Sequence, residues 1–101
     1  MTKKNNKLSE VFSYLEDIIN QKSKSNKKSY TTDLLKEDIG RISQKVGEES
    51  IEVIIASNQK KKKQIIYESA DLIFHLLVLW KKLDIKSSDI AEELLRRKNE
   101  K

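Results

Sequence analysis

Between Gln64 and Leu83 apolar side chains recur on nearly every side of a helix: Ile65, Leu72, Ile73, Phe74, Leu76, Leu77, Val78, Leu79 and Trp80. At about 100° per residue such a helix has no broad polar face for solvent, so it needs cover all round. It is still no membrane span, because no uninterrupted apolar run approaches the roughly 20 residues that crossing a bilayer takes. The rest of the chain must therefore wrap this one helix.

The remaining segments supply short amphipathic helices. Leu8, Val11, Phe12, Leu15, Ile18 and Ile19 recur at helical spacing and predict a first helix over about Leu8–Gln21, capped by Asn6 or Ser9. Lys22–Ser29 reads as a loop, and Thr31, Thr32 or Asp33 is placed to cap a short helix carrying Leu34 and Leu35. A third helix is expected from about Asp38 to Ser57 through Ile42, Val46, Val53 and Ile54, with a bend or break near Gly40. Asn58–Lys63 is the next turn, and after the apolar helix Ser87 or Ser88 caps a last one carrying Ile90, Leu94 and Leu95. The expected fold is all-α: a single domain over residues 1–101, a small bundle of four to five helices with frayed ends at 1–7 and 98–101. Four short partners hardly cover the central helix, so a homodimer is expected to complete it.

With no cysteine among 101 residues there is no disulfide framework and no thiolate metal site, and a lone His75 excludes a multi-histidine centre. No signal-peptide pattern follows Met1, so the expected compartment is the cytoplasm. The net charge of +5 invites a nucleic-acid reading, but residues 1–30 hold seven lysines against three acids, while the remainder is nearly neutral. Neither a nucleic-acid partner nor a membrane is expected.

The telling charges are negative. Glu49 falls at almost the azimuth of Ile42, Val46 and Val53, and Glu52 lies at the edge of that stripe, beside Lys45 and Glu48. On the central helix Glu68, Asp71 and His75 share one narrow strip. If the two helices fold back about residue 61, Glu49, Glu52, Glu68 and Asp71 converge. Four facing carboxylates repel by several kcal/mol unless a cation joins them. Magnesium suits the set, since it takes carboxylate oxygens together with waters and substrate phosphates.

Glu49-x-x-Glu52 followed by Glu68-x-x-Asp71 resembles the signature of the all-α, MazG-like nucleoside triphosphate pyrophosphohydrolases. Ser29-Tyr30-Thr31, the run Ile42–Glu49 and the run Glu68–Leu79 are similar to the phosphoribosyl-ATP pyrophosphohydrolase family in particular, and Leu94–Arg97 fits that family's usual C-terminus. The resemblance covers nearly the whole chain. It departs at Phe74, where tyrosine is frequent, at Ser50, where alanine is usual, and at the all-basic turn Lys60–Lys63. A phosphoribosyl-AMP cyclohydrolase domain often precedes this one; with none here, the free-standing form is implied.

The resemblance implies hydrolysis of phosphoribosyl-ATP to phosphoribosyl-AMP and pyrophosphate, the second step of histidine biosynthesis. Magnesium would be held by Glu49, Glu52, Glu68 and Asp71, with Glu48 as a further ligand or proton acceptor. Lys45 would contact a phosphate, or else pair with Glu49 along its helix. His75 would touch substrate or order a ligand, or else be an interior histidine bonded to Asp71. Ser29, Tyr30 and Thr31 would reach ribose, base or phosphate. Two other functions compete: a MazG-like house-cleaning triphosphate pyrophosphohydrolase, and a basic helical binding module without catalysis.

Overall fold

The computed structural model describes residues 3–100, with side chains from Lys7 onward. Five helices follow one another: α1 (Lys3–Ser23), α2 (Tyr30–Leu35), α3 (Ile39–Asn58), α4 (Lys62–Lys82) and α5 (Ser87–Arg96). Among the described residues there is no strand, and no helix is long and apolar enough to cross a membrane. The expected fraying of Met1, Thr2 and Lys101 lies outside the described residues.

The central apolar helix and the third helix form an antiparallel hairpin that dominates the tertiary contacts, and α1 and α2 pack on α4. Ile19, Leu34, Ile42, Leu77 and Val78 make the buried core, with Phe12, Leu15, Leu35, Phe74, Leu79 and Trp80 packed around it. Each of α1, α2, α3 and α4 thus contributes to one cluster. Trp80 is in this shell, as its helical spacing from Leu76 and Leu77 suggests. α5 buries none of its residues and leaves Leu94 and Leu95 exposed.

Several local expectations are corrected. α1 begins at Lys3, so neither Asn6 nor Ser9 caps it; the polar N-terminal run continues the helix rather than starting it. α2 is capped by Ser29, two positions before the first of the candidates Thr31, Thr32 and Asp33: its Oγ accepts the Thr32 N–H at 3.1 Å and bonds Thr32 Oγ1 at 2.7 Å. Its extended backbone leaves the hydroxyl over the first helical turn, which is what a cap requires. α3 is continuous past Gly40, because that glycine sits in the first turn, just after the Asp38 cap that accepts the Arg41 N–H at 2.9 Å. In α5 the reciprocal partner is Asp89, whose carboxylate accepts the Lys86 N–H at 2.9 Å, and neither Ser87 nor Ser88 is the cap. The Ser87 N–H donates instead to Glu16 at 2.7 Å, which ties the start of α5 to α1.

The turn between α3 and α4 sets the depth at which their side chains meet. Lys60 takes a left-handed conformation (φ 56°), which costs a non-glycine residue about 1–2 kcal/mol. The Gln59 and Lys61 N–H groups then close on Ile55 and Ala56 carbonyls at 3.1 and 3.3 Å, which satisfies two of the four carbonyls left over at the end of α3.

Candidate metal centre

Residue 49 on α3 and residues 68 and 71 on α4 lie at matching depths of the hairpin. Glu49, Glu68 and Asp71 each offer one carboxylate oxygen within 4.8 Å of the others. Glu68 is buried, and the other two are half-buried. A hard cation with oxygens at about 2.0–2.6 Å places donor pairs about 3–5 Å apart, so the set has the spacing of a shared ion. Among the described residues none of the three is paired with a lysine or arginine. Burial, followed by the charges of Asp71 and Glu68, pushes the Glu49 carboxyl above its ordinary value, with His75 opposing in part. Three acids so placed lack positive charge, and an all-oxygen donor set fits a divalent cation.

Gln64, one turn before Glu68, donates its amide to Glu68 Oε2 at 2.6 Å and so orients that carboxylate. Sequence reasoning passed over it; its signal was the i, i+4 spacing to an inward acid.

Glu52 is exposed and stands outside this set of three. It lines an adjoining cavity of about 220 Å³ with Ile55, Ala56, Gln59, Lys61 and Gln64. The reason is angular: three residues past Glu49 the helix has turned about 300°, which carries Glu52 onto the rim of the hairpin. Glu48 is farther round and exposed; Lys45 pairs with it at 3.5 Å and Gln44 donates to it at 3.1 Å. Lys45 is therefore partnered along its helix, with Glu48 rather than Glu49.

On the other side of the acids, His75 is buried and bonded at both ring nitrogens. Nδ1 lies 2.9 Å from the Asp71 carbonyl, which can only accept, so Nδ1 carries a proton. In the neutral ring Nε2 is then the acceptor, and the Tyr30 hydroxyl donates to it at 2.6 Å. The two rings meet edge to face, with centroids 5.8 Å apart. His75 thus touches Asp71 through the backbone and not through its carboxylate. Tyr30 is 54% exposed, so much of it stays open to solvent beside His75. Ser29 is engaged as the α2 cap, and Thr31 is buried beneath that helix. The structure thus brings Glu49, Glu68, Asp71, His75 and Tyr30 together, and leaves Glu48, Glu52 and Lys45 at the margin.

Comparison with known proteins bears on this arrangement. Residues 12–98 match the family model described as phosphoribosyl-ATP pyrophosphohydrolase, a span that holds every residue of the site. The chain is 46% identical over 82 residues to the phosphoribosyl-ATP pyrophosphatase of Geobacter sulfurreducens, covering 81% of this chain and 76% of that one. It is 39% identical over 89 residues to the enzyme of the same name from Pyrobaculum aerophilum, covering 87% and 95% of the two chains. It also matches 42% of the length of the histidine biosynthesis bifunctional protein HisIE of Photobacterium profundum, at 43% identity over 86 residues. With most of its length matched in this way, the chain belongs to the phosphoribosyl-ATP pyrophosphohydrolase family.

Proposed function

We propose that this protein hydrolyses phosphoribosyl-ATP to phosphoribosyl-AMP and pyrophosphate in histidine biosynthesis, with magnesium held by Glu49, Glu68 and Asp71 and with Glu52 as a fourth ligand. The observation that carries the reading is the convergence of three carboxylates from two helices with no lysine or arginine paired to them among the described residues. The names of the similar proteins supply the substrate.

Bound there, magnesium supplies the positive charge that offsets the phosphate oxygens as the phosphoanhydride breaks. The chain's own residues prepare the place. The hairpin fixes Glu49 opposite Asp71, and the Gln64 amide holds Glu68 in one orientation. The His75 bond to the Asp71 carbonyl secures the α4 turn that carries Asp71. Tyr30, pinned through its hydroxyl, presents an exposed ring on which a purine can stack. Glu48, beside the site and charged, is the candidate acceptor of the water's proton, and Lys45 is placed to meet a phosphate once its pair with Glu48 opens. Ser29 and Thr31 act here by building α2, which delivers Tyr30.

The same proposal includes a homodimer working in the cytoplasm. Ile51, Ile54 and Ile55 form an exposed row on α3, on the side away from buried Ile42 and Ala56, and Ile66 and Ile73 are exposed on α4. Burying such a row stabilises by about 25 cal/mol per Å².

The test is a substrate panel of phosphoribosyl-ATP, dATP, dCTP and dUTP with and without magnesium. Turnover of phosphoribosyl-ATP only in the presence of magnesium is expected. Turnover of the deoxynucleotides alone would replace this reading with the house-cleaning one, and no turnover of any would remove the enzyme assignment.

A further inference from the structure

Gln64, Glu68 and Asp71 recur at i, i+4 and i+7, so they lie along one strip of α4 at about 100° per residue, and Lys61, with extended backbone, is the residue that leads into its first turn. His75 continues the strip beyond Asp71 and bonds Tyr30. The carboxylates therefore stand between a polar aromatic pair on one side and a basic end on the other. At that basic end lies the cavity lined by Glu52, Lys61 and Gln64, and of these Gln64 also reaches the acids, through its 2.6 Å bond to Glu68. Lys60, Lys61, Lys62 and Lys63 are all exposed, and among the described residues none of them is in an ion pair.

The strip has a polarity that an elongated anion can read. Seven residues separate Lys61 from Glu68, about 10 Å along the axis. A lysine side chain reaches about 6 Å from its Cα. The gap left is on the scale of one or two phosphate groups. A cavity of about 220 Å³ has room for them, and Lys61 and the second amide hydrogen of Gln64 give it donors for phosphate oxygens.

We propose that this cavity receives the two terminal phosphates of the substrate, so that the nucleotide lies along α4 with its nucleoside end at Tyr30 and His75 and its pyrophosphate end at Lys61. The inference rests on the pyrophosphohydrolase reading given above and adds a direction to it. In the reaction the water oxygen bonds to one phosphorus. The bridging oxygen between the α- and β-phosphates keeps the bonding pair and stays with the other, and one proton passes to solvent. Lys61 faces the leaving pyrophosphate and offsets the charge it acquires. Lys62 and Lys63 do not line this cavity and take no part.

The experiment compares Lys61→Gln, Lys61→Arg and Lys62→Gln with the wild type at fixed ionic strength. Pyrophosphate binding in magnesium buffer is measured by calorimetry, alongside KM and kcat for phosphoribosyl-ATP. Lys61→Gln is expected to weaken pyrophosphate binding and raise KM by about tenfold, the scale of one lost charge-assisted contact. Lys61→Arg should recover most of this, and Lys62→Gln should change both by less than about twofold. Equal losses in Lys61→Gln and Lys62→Gln, or unchanged pyrophosphate binding in Lys61→Gln, would overturn the proposal. The binding measurement decides even if phosphoribosyl-ATP is not turned over, a result that would count against the substrate reading instead.

Discussion

Replacing Glu49 with glutamine should stabilise the metal-free protein and abolish its stabilisation by magnesium. Glu49 offers an oxygen within 4.8 Å of oxygens on Glu68 and Asp71. Two unit charges at that separation repel by about 0.9 kcal/mol in water and about 3.5 kcal/mol at an effective dielectric constant of 20. The site is half-open and screened by solvent, so a relief of about 1–2 kcal/mol is expected at pH 7.5. For a chain of this size, with a urea slope of about 1 kcal/mol per molar, the midpoint should rise by about 1–2 M. In excess magnesium the order reverses, because the wild type gains about 2.7 kcal/mol at a hundredfold excess over Kd and the variant gains little.

The pH dependence has a definite sign. The folded-state Glu49 carboxyl lies above its ordinary value. Its ionisation therefore destabilises the metal-free fold fully above that raised value, and the cost fades as pH falls through it. The wild type should thus approach Glu49→Gln in stability between pH 7.5 and the ordinary carboxylate range. Urea titrations monitored by circular dichroism, with EDTA or with magnesium, read all of these quantities. A variant less stable than the wild type in EDTA, or a difference indifferent to both pH and magnesium, would refute the electrostatic account of the site.

Ser29→Ala removes the α2 cap and should cost about 0.5–2 kcal/mol, read as a lower urea midpoint. Tyr30→Phe deletes the bond to His75 Nε2 and should cost about 1 kcal/mol, with a shift of the His75 Nε2 resonance in nitrogen-edited spectra. Ile54→Glu, at an exposed position, should keep the helical spectrum and, if the proposed dimer forms through this row, should sediment as a monomer where the wild type sediments as a dimer. Ile42→Ala, at a site with no solvent exposure, should cost about 2–5 kcal/mol in chemical denaturation.

The helices were legible because their apolar residues repeat at a period only a helix satisfies. Ile19, Ile42, Leu77 and Val78 lie on the faces that this period marks, and all four are buried. Helix ends were less legible. Ser29, Thr31, Thr32 and Asp33 are all competent caps, and only the extended backbone at Ser29 selects one of them. Asn6 and Ser9 have capping side chains too, but nothing local stops α1 from extending back to Lys3.

The carboxylate site divides in the same way. Spacing alone placed Glu68, Asp71 and His75 on one strip of α4, and Glu49 on the inner stripe of α3, because helical azimuth is a local property of the chain. A fold-back near residue 61 predicts the partners across the hairpin in outline, but which of the four acids meet is a tertiary matter. The left-handed turn at Lys60 and the packing of α3 on α4 set the depth at which Glu49 meets Glu68 and Asp71, and leave Glu52 on the rim. The same packing turned Gln64 toward Glu68 and brought Tyr30, forty-five residues away in sequence, onto His75. A sequence states the angle at which each side chain leaves its helix. Which angles face each other, and at what separation charges must be balanced, is decided only when two helices dock.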